Sequence, residues 1–168
     1  MLRVFMVPAL AAALFSAIGA GAEEWKPEPA TFDVAGSVKA LSGRWAGNGS
    51  ATMKSGKQED FKCVATYFMN EEASKVRQNL RCKSEQLEIS LVSNWQVAGE
   101  AITGDWRETK YNLEGMLMGN FEEEGFSIYA ENEFASAAIA VKTSPCTQDV
   151  TMTFSRQVNL LTATLKKC

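Results

Sequence analysis

From Leu41 to Cys168 no segment carries a helical period longer than two turns, and this limits the fold more than any other feature. Runs rich in β-branched and aromatic residues recur instead at roughly ten-residue intervals, each bounded by polar or glycine-bearing turns. "GRWAGNGSATM" is the first, ended by "SGKQ". "EDFKCVATYFM" and "VRQNLRC" flank the turn "NEEASK". "QLEISLVSNW" alternates, with Leu87, Ile89, Leu91 and Trp95 toward one side, and "ITGDWRETKY" returns after a turn through Gly99. That register places Trp95 near Ile102 and Leu91 near Trp106. "LEGMLMGNF", "FSIYAENE", "FASAAIAVKT", "VTMTFS" and "LLTATLKKC" complete the series. The series predicts an antiparallel meander that closes into a barrel or folds as a sandwich or strongly curled sheet. Short turns between successive strands and the removal of aggregation-prone edges favour an all-β antiparallel up-and-down barrel of about 8–10 strands.

The four cysteines fit this meander. The midpoint between Cys63 and Cys82 falls in "NEEASK", and that between Cys146 and Cys168 falls at Gln157 in "SRQVN". Each pair therefore closes the open end of a hairpin, where opposed Cβ atoms lie close enough to bridge. No C-x-x-C spacing suggests a zinc or redox site. Two disulfides, Cys63–Cys82 and Cys146–Cys168, are expected, and they imply an oxidising compartment.

The segment before the barrel agrees. "MLRVFMVPALAAALFSAIGAGA" (residues 1–22) has a basic residue, an apolar run and a small-residue cleavage site, as a signal peptide does. Residues 23–40 read as an extended leader held by Pro27 and Pro29. A short helical plug within "TFDVAGSVKAL" would use Phe32 and Val38 as apolar contacts. The barrel domain spans residues 41–168, with no membrane span after signal cleavage, and a periplasmic or secreted location follows.

Charge narrows the partners. Arg3 is the only charged residue of the removed segment, so 16 of the 17 basic residues remain against 20 acidic ones. The basic residues are scattered, and nucleic acid is not an expected partner. The chain has no histidine, which removes Ser-His and Cys-His nucleophile systems and His-ligated metal sites. Three carboxylates in "NFEEEGF" lack the spacing of a calcium loop and read as a solvated turn. Asp105 and Arg107 in "GDWRE" share a strand face and are expected to form a weak surface ion pair. The small residues of "FASAAIAVKT" read as close packing against a large neighbour or as a widened lumen. No catalytic residue, metal or cofactor is expected.

"LSGRW" and "ITGDW" share a glycine two residues before a tryptophan on one strand face. The glycine lets the strand coil and the tryptophan fills the space beside it. Gly43, Trp45 and Gly104 are accordingly structural candidates. With the leader and plug, this layout resembles the lipocalin and calycin superfamily, and the repeat resembles avidin-type barrels. The lipocalin resemblance implies that Trp45 packs at a closed barrel end under a late basic residue, for which Arg156, Lys166 and Lys167 are candidates. The Thr-Asp-Tyr loop of true lipocalins is absent. "LSGRW" with a nearby disulfide also resembles bacterial periplasmic metalloprotease inhibitors, which act through an exposed N-terminal segment such as "EEWKPEP". "LSGRW", "KCVATY", "VRQNLRC", "TGxW" and the last two cysteines together resemble small uncharacterised secreted proteins of Gram-negative bacteria.

The expected function is that of an exported, non-enzymatic barrel binding a small apolar molecule or an envelope component. The alternative is a protein-binding module for a secreted or envelope protein, such as a periplasmic protease inhibitor. A ligand pocket would be walled by Leu91, Trp95, Trp106 and some of Phe126, Ile128 and Tyr129. Trp45 and Trp106 are expected to be buried and Trp25 exposed.

Overall fold

The computed structural model describes residues 31–85, 88–156 and 158–168. The segment read as a signal peptide, most of the expected leader and Trp25 lie outside them. Ten strands follow one short helix: α1 (Val34–Ala40), β1 (Gly43–Met53), β2 (Gln58–Met69), β3 (Lys75–Lys83), β4 (Glu88–Ala98), β5 (Ala101–Glu108), β6 (Leu113–Glu122), β7 (Gly125–Glu131), β8 (Ser136–Thr143), β9 (Thr147–Phe154) and β10 (Val158–Lys166). Each strand pairs antiparallel with its chain neighbours, and β1 pairs with β10 to close the barrel. Among the described residues no helix is long and apolar enough to cross a membrane.

Glycines let the wall coil this tightly. A Cβ at Gly47 would sit 1.9 Å from the Thr164 carbonyl oxygen, and one at Gly49 would sit 2.4 Å from that of Thr162, both on β10. On the far side Gly104 lies directly opposite Trp95, where a Cβ would meet the Asn94 carbonyl at 1.9 Å. The tryptophan therefore packs over a bare stretch of backbone.

That pairing corrects the register expected for β4 and β5. The turn is Gly99–Glu100, with Gly99 at φ +58°, so Ala98 faces Ala101. Trp95 consequently opposes Gly104 rather than Ile102, and Leu91 opposes Glu108 rather than Trp106. The shift is two residues, so both strands keep their inward faces. Arg107 pairs across the ladder with Glu114 at 3.2 Å, while Asp105 accepts a hydrogen bond from Asn94 Nδ2 at 2.9 Å. The expected Asp105–Arg107 pair does not form, because each side chain meets a partner on the neighbouring strand first.

One end of the barrel is covered by α1. Asp33 caps the helix by accepting from the Gly36 N–H at 2.9 Å. Val34 and Val38 point into the barrel core and are buried with Leu41. Trp45, 0% exposed, donates from Nε1 to the Leu41 carbonyl at 2.7 Å. Lys167 lies 5.4 Å from the centre of the Trp45 ring, and its Nζ donates to the Ala40 carbonyl at 3.2 Å. Of the three late cations considered in sequence, Lys167 is the one that holds helix, tryptophan and last strand together at this end.

Both disulfides form as the spacing indicates, Cys63–Cys82 across β2 and β3 and Cys146–Cys168 across the ends of β9 and β10. Their surroundings differ. Cys63 and Cys82 face the interior at 3% and 4% exposure, whereas Cys146 and Cys168 lie on the surface. Mild reductant with an alkylating agent should therefore label Cys146 and Cys168 in the folded protein and leave Cys63 and Cys82 protected until unfolding. Each loop is about 20 residues long, so loss of either bridge should cost about 3 kcal/mol and lower the melting temperature by roughly 10 °C. Mass spectrometry of the labelled peptides and a thermal melt check both points.

Candidate functional site

The interior divides into two halves of different character. Near α1 most of the large inward side chains are fully buried. Tyr67 meets Trp95 edge-on at 6.0 Å between ring centres, Trp95 meets Phe126 at 5.3 Å, and Phe126 meets Phe121 at 5.9 Å. Ile102, Ile128, Val141 and Leu165 fill the remaining space. Such aromatic contacts add to what area burial alone provides.

A polar chain threads this packed half. Trp95 Nε1 donates to Ser93 Oγ at 2.8 Å, Ser93 to Gln78 Oε1 at 3.1 Å, Gln78 Nε2 to the Tyr67 hydroxyl at 3.0 Å, and Tyr67 to Gln148 Oε1 at 3.5 Å. An indole N–H can only donate, so its position at the head fixes the direction of every later link. The chain ends in Gln148 Nε2, which has no hydrogen-bond partner, and neither has the hydroxyl of Thr143 directly across the ladder. Gln78 is the single member of the chain that keeps partial exposure. Burial, opposed by the bonds with Gln78 and Gln148, pushes the Tyr67 hydroxyl up to about 12.

The opposite half is less tightly packed. Its inward side chains include Leu80, Ile89, Leu91, Trp106, Met152 and Phe154, all half-buried. Trp106 opposes Gly115 on β6, and a Cβ there would come within 2.8 Å of its ring. The ring thus lies across bare backbone, and its Nε1 donates to the Met116 carbonyl at 3.2 Å. Full burial of Trp106 was expected. Its place one turn from the open rim leaves it half-buried instead.

Glu108 is the one charged side chain buried among the described residues, at 6% exposure. It faces inward beside Leu91 and accepts from the backbone N–H of Ser90 at 3.0 Å and of Tyr111 at 2.6 Å. These bonds pin the turn between β5 and β6, where Asn112 takes a left-handed φ of +52°. Around the same rim Tyr111, Leu113 and Phe134 are exposed.

The pocket residues named from sequence therefore separate. Leu91 and Trp106 lie on the inward wall of the half away from α1. Trp95, Phe126 and Ile128 lie in the packed half. Tyr129 points outward at 42% exposure, because Ile128 takes the inward position opposite Gly119. Leu80, Met152 and Phe154 were missed, although Met152 and Phe154 alternate with threonines in "VTMTF" and Leu80 interrupts a polar run. Glu122, Glu123 and Glu124 are exposed at a hairpin turn, and among the described residues no group of metal-ligating side chains converges.

No family model and no curated protein sequence matches this chain. Among solved structures it is similar to an S-type phycobiliprotein lyase from Guillardia theta, with a TM-score of 0.57 and 10% identity over 77% of this chain and 88% of that one. Lower similarity joins it to a redesigned β-barrel bound to DFHBI, with a TM-score of 0.44 and 13% identity over 78% of this chain and 98% of that one. A second redesigned barrel gives a TM-score of 0.43 and 13% identity over 79% and 95% of the two chains. The likeness to the lyase is one of fold.

The Tyr67 shift has a pH consequence. Its folded pKa lies above the unfolded value of 10.0, so its contribution to stability is complete below pH 10 and is lost as pH rises from about 10 to about 12. In a phenolate titration followed by absorbance, Tyr67 should ionise near pH 12 together with loss of the barrel's near-ultraviolet circular dichroism. Tyr67→Phe should remove that transition and, by leaving Gln78 Nε2 short of an acceptor, cost about 1 kcal/mol at neutral pH.

Proposed function

We propose that this chain is an exported, non-enzymatic barrel that binds a small apolar molecule in the open half of its lumen. One observation carries the reading. The inward wall is apolar at both ends, but most of its half-buried large side chains lie at the end away from α1, against Met69 and Val97 near it. A barrel stabilised by its core alone has no need of half-buried Leu91, Trp106, Met152 and Phe154 facing inward. Apolar surface held partly in water gains roughly 25 cal/mol per Å² on being covered, which favours a ligand seated there.

The composition of the site supports an apolar ligand with one polar end. Side chains of Leu, Ile, Met, Phe and Trp dominate the open wall. At the boundary with the packed half, Gln78 is where the polar chain meets that wall. Its amide nitrogen and its carbonyl oxygen each make one bond within the chain, and a second bond from either would be where a polar atom of the ligand approaches. Glu108 already accepts two backbone hydrogen bonds and acts as a fastener for the rim. Tyr111, Leu113 and Phe134 would form an apolar lip at the entrance. The absence of histidine and the pairing of all four cysteines support a carrier over a catalyst. The two disulfides also support export, since an oxidising compartment preserves them.

The test uses an environment-sensitive apolar probe and a panel of fatty acids. Binding should change tryptophan emission and raise the melting temperature. Trp106→Ala and Leu91→Glu should each weaken it at least tenfold, a loss of about 1.4 kcal/mol, while the buried core stays folded by circular dichroism. The reading fails if the whole panel leaves emission and melting temperature unchanged. Tight binding to a secreted protease, lost on deleting residues 23–30, would favour an inhibitor instead.

A further inference from the structure

The described chain begins beside a groove on the outer wall. Thr31 donates to one carboxylate oxygen of Glu100 from its backbone N–H at 2.8 Å and from its hydroxyl at 3.1 Å. Glu100 belongs to the turn between β4 and β5. The next residue, Ala101, faces outward and begins a groove of about 700 Å³ that crosses from β5 to β9. Met118, Tyr129 and Ala138 form one cross-strand row in it, with Ala140 in the row beside them. Met118 is 52% exposed and Tyr129 42%, so a methionine and a tyrosine stand adjacent in water over an alanine floor. The small residues of "FASAAIAVKT" thus divide between faces: Ala138 and Ala140 hollow the outside of the barrel and do not widen its lumen.

We propose that Glu23–Ala30 occupies this groove, with Trp25, Pro27 and Pro29 covering Met118, Tyr129 and the alanine floor. Three features of the molecule favour this occupant. The first is position. The hydrogen bonds of Thr31 to Glu100 deliver the preceding residues to the groove's edge, so docking is intramolecular and faces only a small loss of freedom.

The second is length. Prolines favour an extended chain of about 3.1 Å per residue, so the six residues from Trp25 to Ala30 span about 19 Å. Four strand-to-strand steps of about 4.8 Å carry the groove the same distance, from β5 to β9. Trp25 then reaches the far side, over Ala138 and Ala140.

The third is chemistry. Every strand of a closed barrel has its backbone groups paired, so the outer wall cannot accept an added strand and must recognise a segment through side chains. Proline-rich extended segments suit that requirement, because they offer rings and few N–H groups and dock against apolar, aromatic grooves. The rings of Pro27 and Pro29 cover Met118 and Tyr129, and the indole of Trp25 lies beyond them on the alanines. Alanines beneath leave depth for the ring.

The experiment isolates Trp25 by subtracting the emission of Trp25→Phe from that of the intact protein. Docking predicts a blue-shifted difference spectrum and weak acrylamide quenching. Ala140→Arg, on an exposed floor position, should shift that component to the red and raise its quenching several-fold, with Trp45 and Trp95 emission unchanged. Should Ala140→Arg fold poorly, Met118→Gln provides the same readout, and Glu100→Gln should give a partial release. Trp25 that is quenched equally in intact protein and Ala140→Arg overturns the proposal, as does shielding that Ala140→Arg and Met118→Gln leave intact. Shielding that appears only at concentrations where sedimentation shows a dimer assigns the groove to a second copy, and also overturns it.

Discussion

Closure between β1 and β10 is the constraint on which the rest depends. An open ten-strand meander would expose two edges, each a template for pairing with another chain. Bringing the first strand onto the last requires β1 to coil sharply, and Gly47 and Gly49 face β10 where any side chain would collide with its carbonyls. Once closed, the wall fixes which residues share the interior. Val141, Val150, Ala163, Gly49 and Phe61 form one continuous inward row only because β1 receives β10 on one side and β2 on the other.

Closure alone does not decide how the interior is filled. Ten strands enclose more space than eight, which side chains can just fill. Here the bulk is distributed unevenly. Trp45, Tyr67, Trp95, Phe121 and Phe126 crowd the end beneath α1, while the other end holds Leu80, Leu91, Met152 and Phe154 with a single indole folded aside on Gly115. The disulfides do not follow this division: the buried one ties β2 to β3 with Cys82 opposite Ile89, away from α1, and the exposed one fastens the last strand beside the plugged end.

Much of the fold was legible because strand periodicity and turn chemistry are local. "GRWAGNGSATM" is β1 residue for residue, and the cysteine midpoints located two hairpins. The glycine–tryptophan repeat was legible as a packing device, although its partners were not. Trp95 packs on Gly104 from the neighbouring strand, and that depends on a turn centred one position later than the pattern of apolar residues suggests. The site was less legible for a physical reason. Alternation tells which residues face inward, but depth along the barrel axis depends on strand tilt and on which end the plug covers. Leu91 and Trp95 share a face and differ only in depth, so one lines the open half and the other the packed half. Tyr129 was ambiguous because "FSIYA" is apolar at both parities, and only its pairing with Met118 and Ala138 places it outside.

The polar chain explains why the two halves differ in what they can do. A buried donor or acceptor without a partner costs about 1–3 kcal/mol, so polar groups inside an apolar barrel are kept only in linked sets. The indole of Trp95 starts this one and forces each successive group to donate away from it. The chain terminates on a donor, Gln148 Nε2, at the α1 end of the barrel. It presents no strongly charged or unsatisfied group to the open half, where Gln78 touches the boundary with its carbonyl and amide already engaged. Glu108 is likewise occupied by two backbone donors. The inward wall of that half is mainly apolar, with Leu91 and Trp106 among its half-buried side chains.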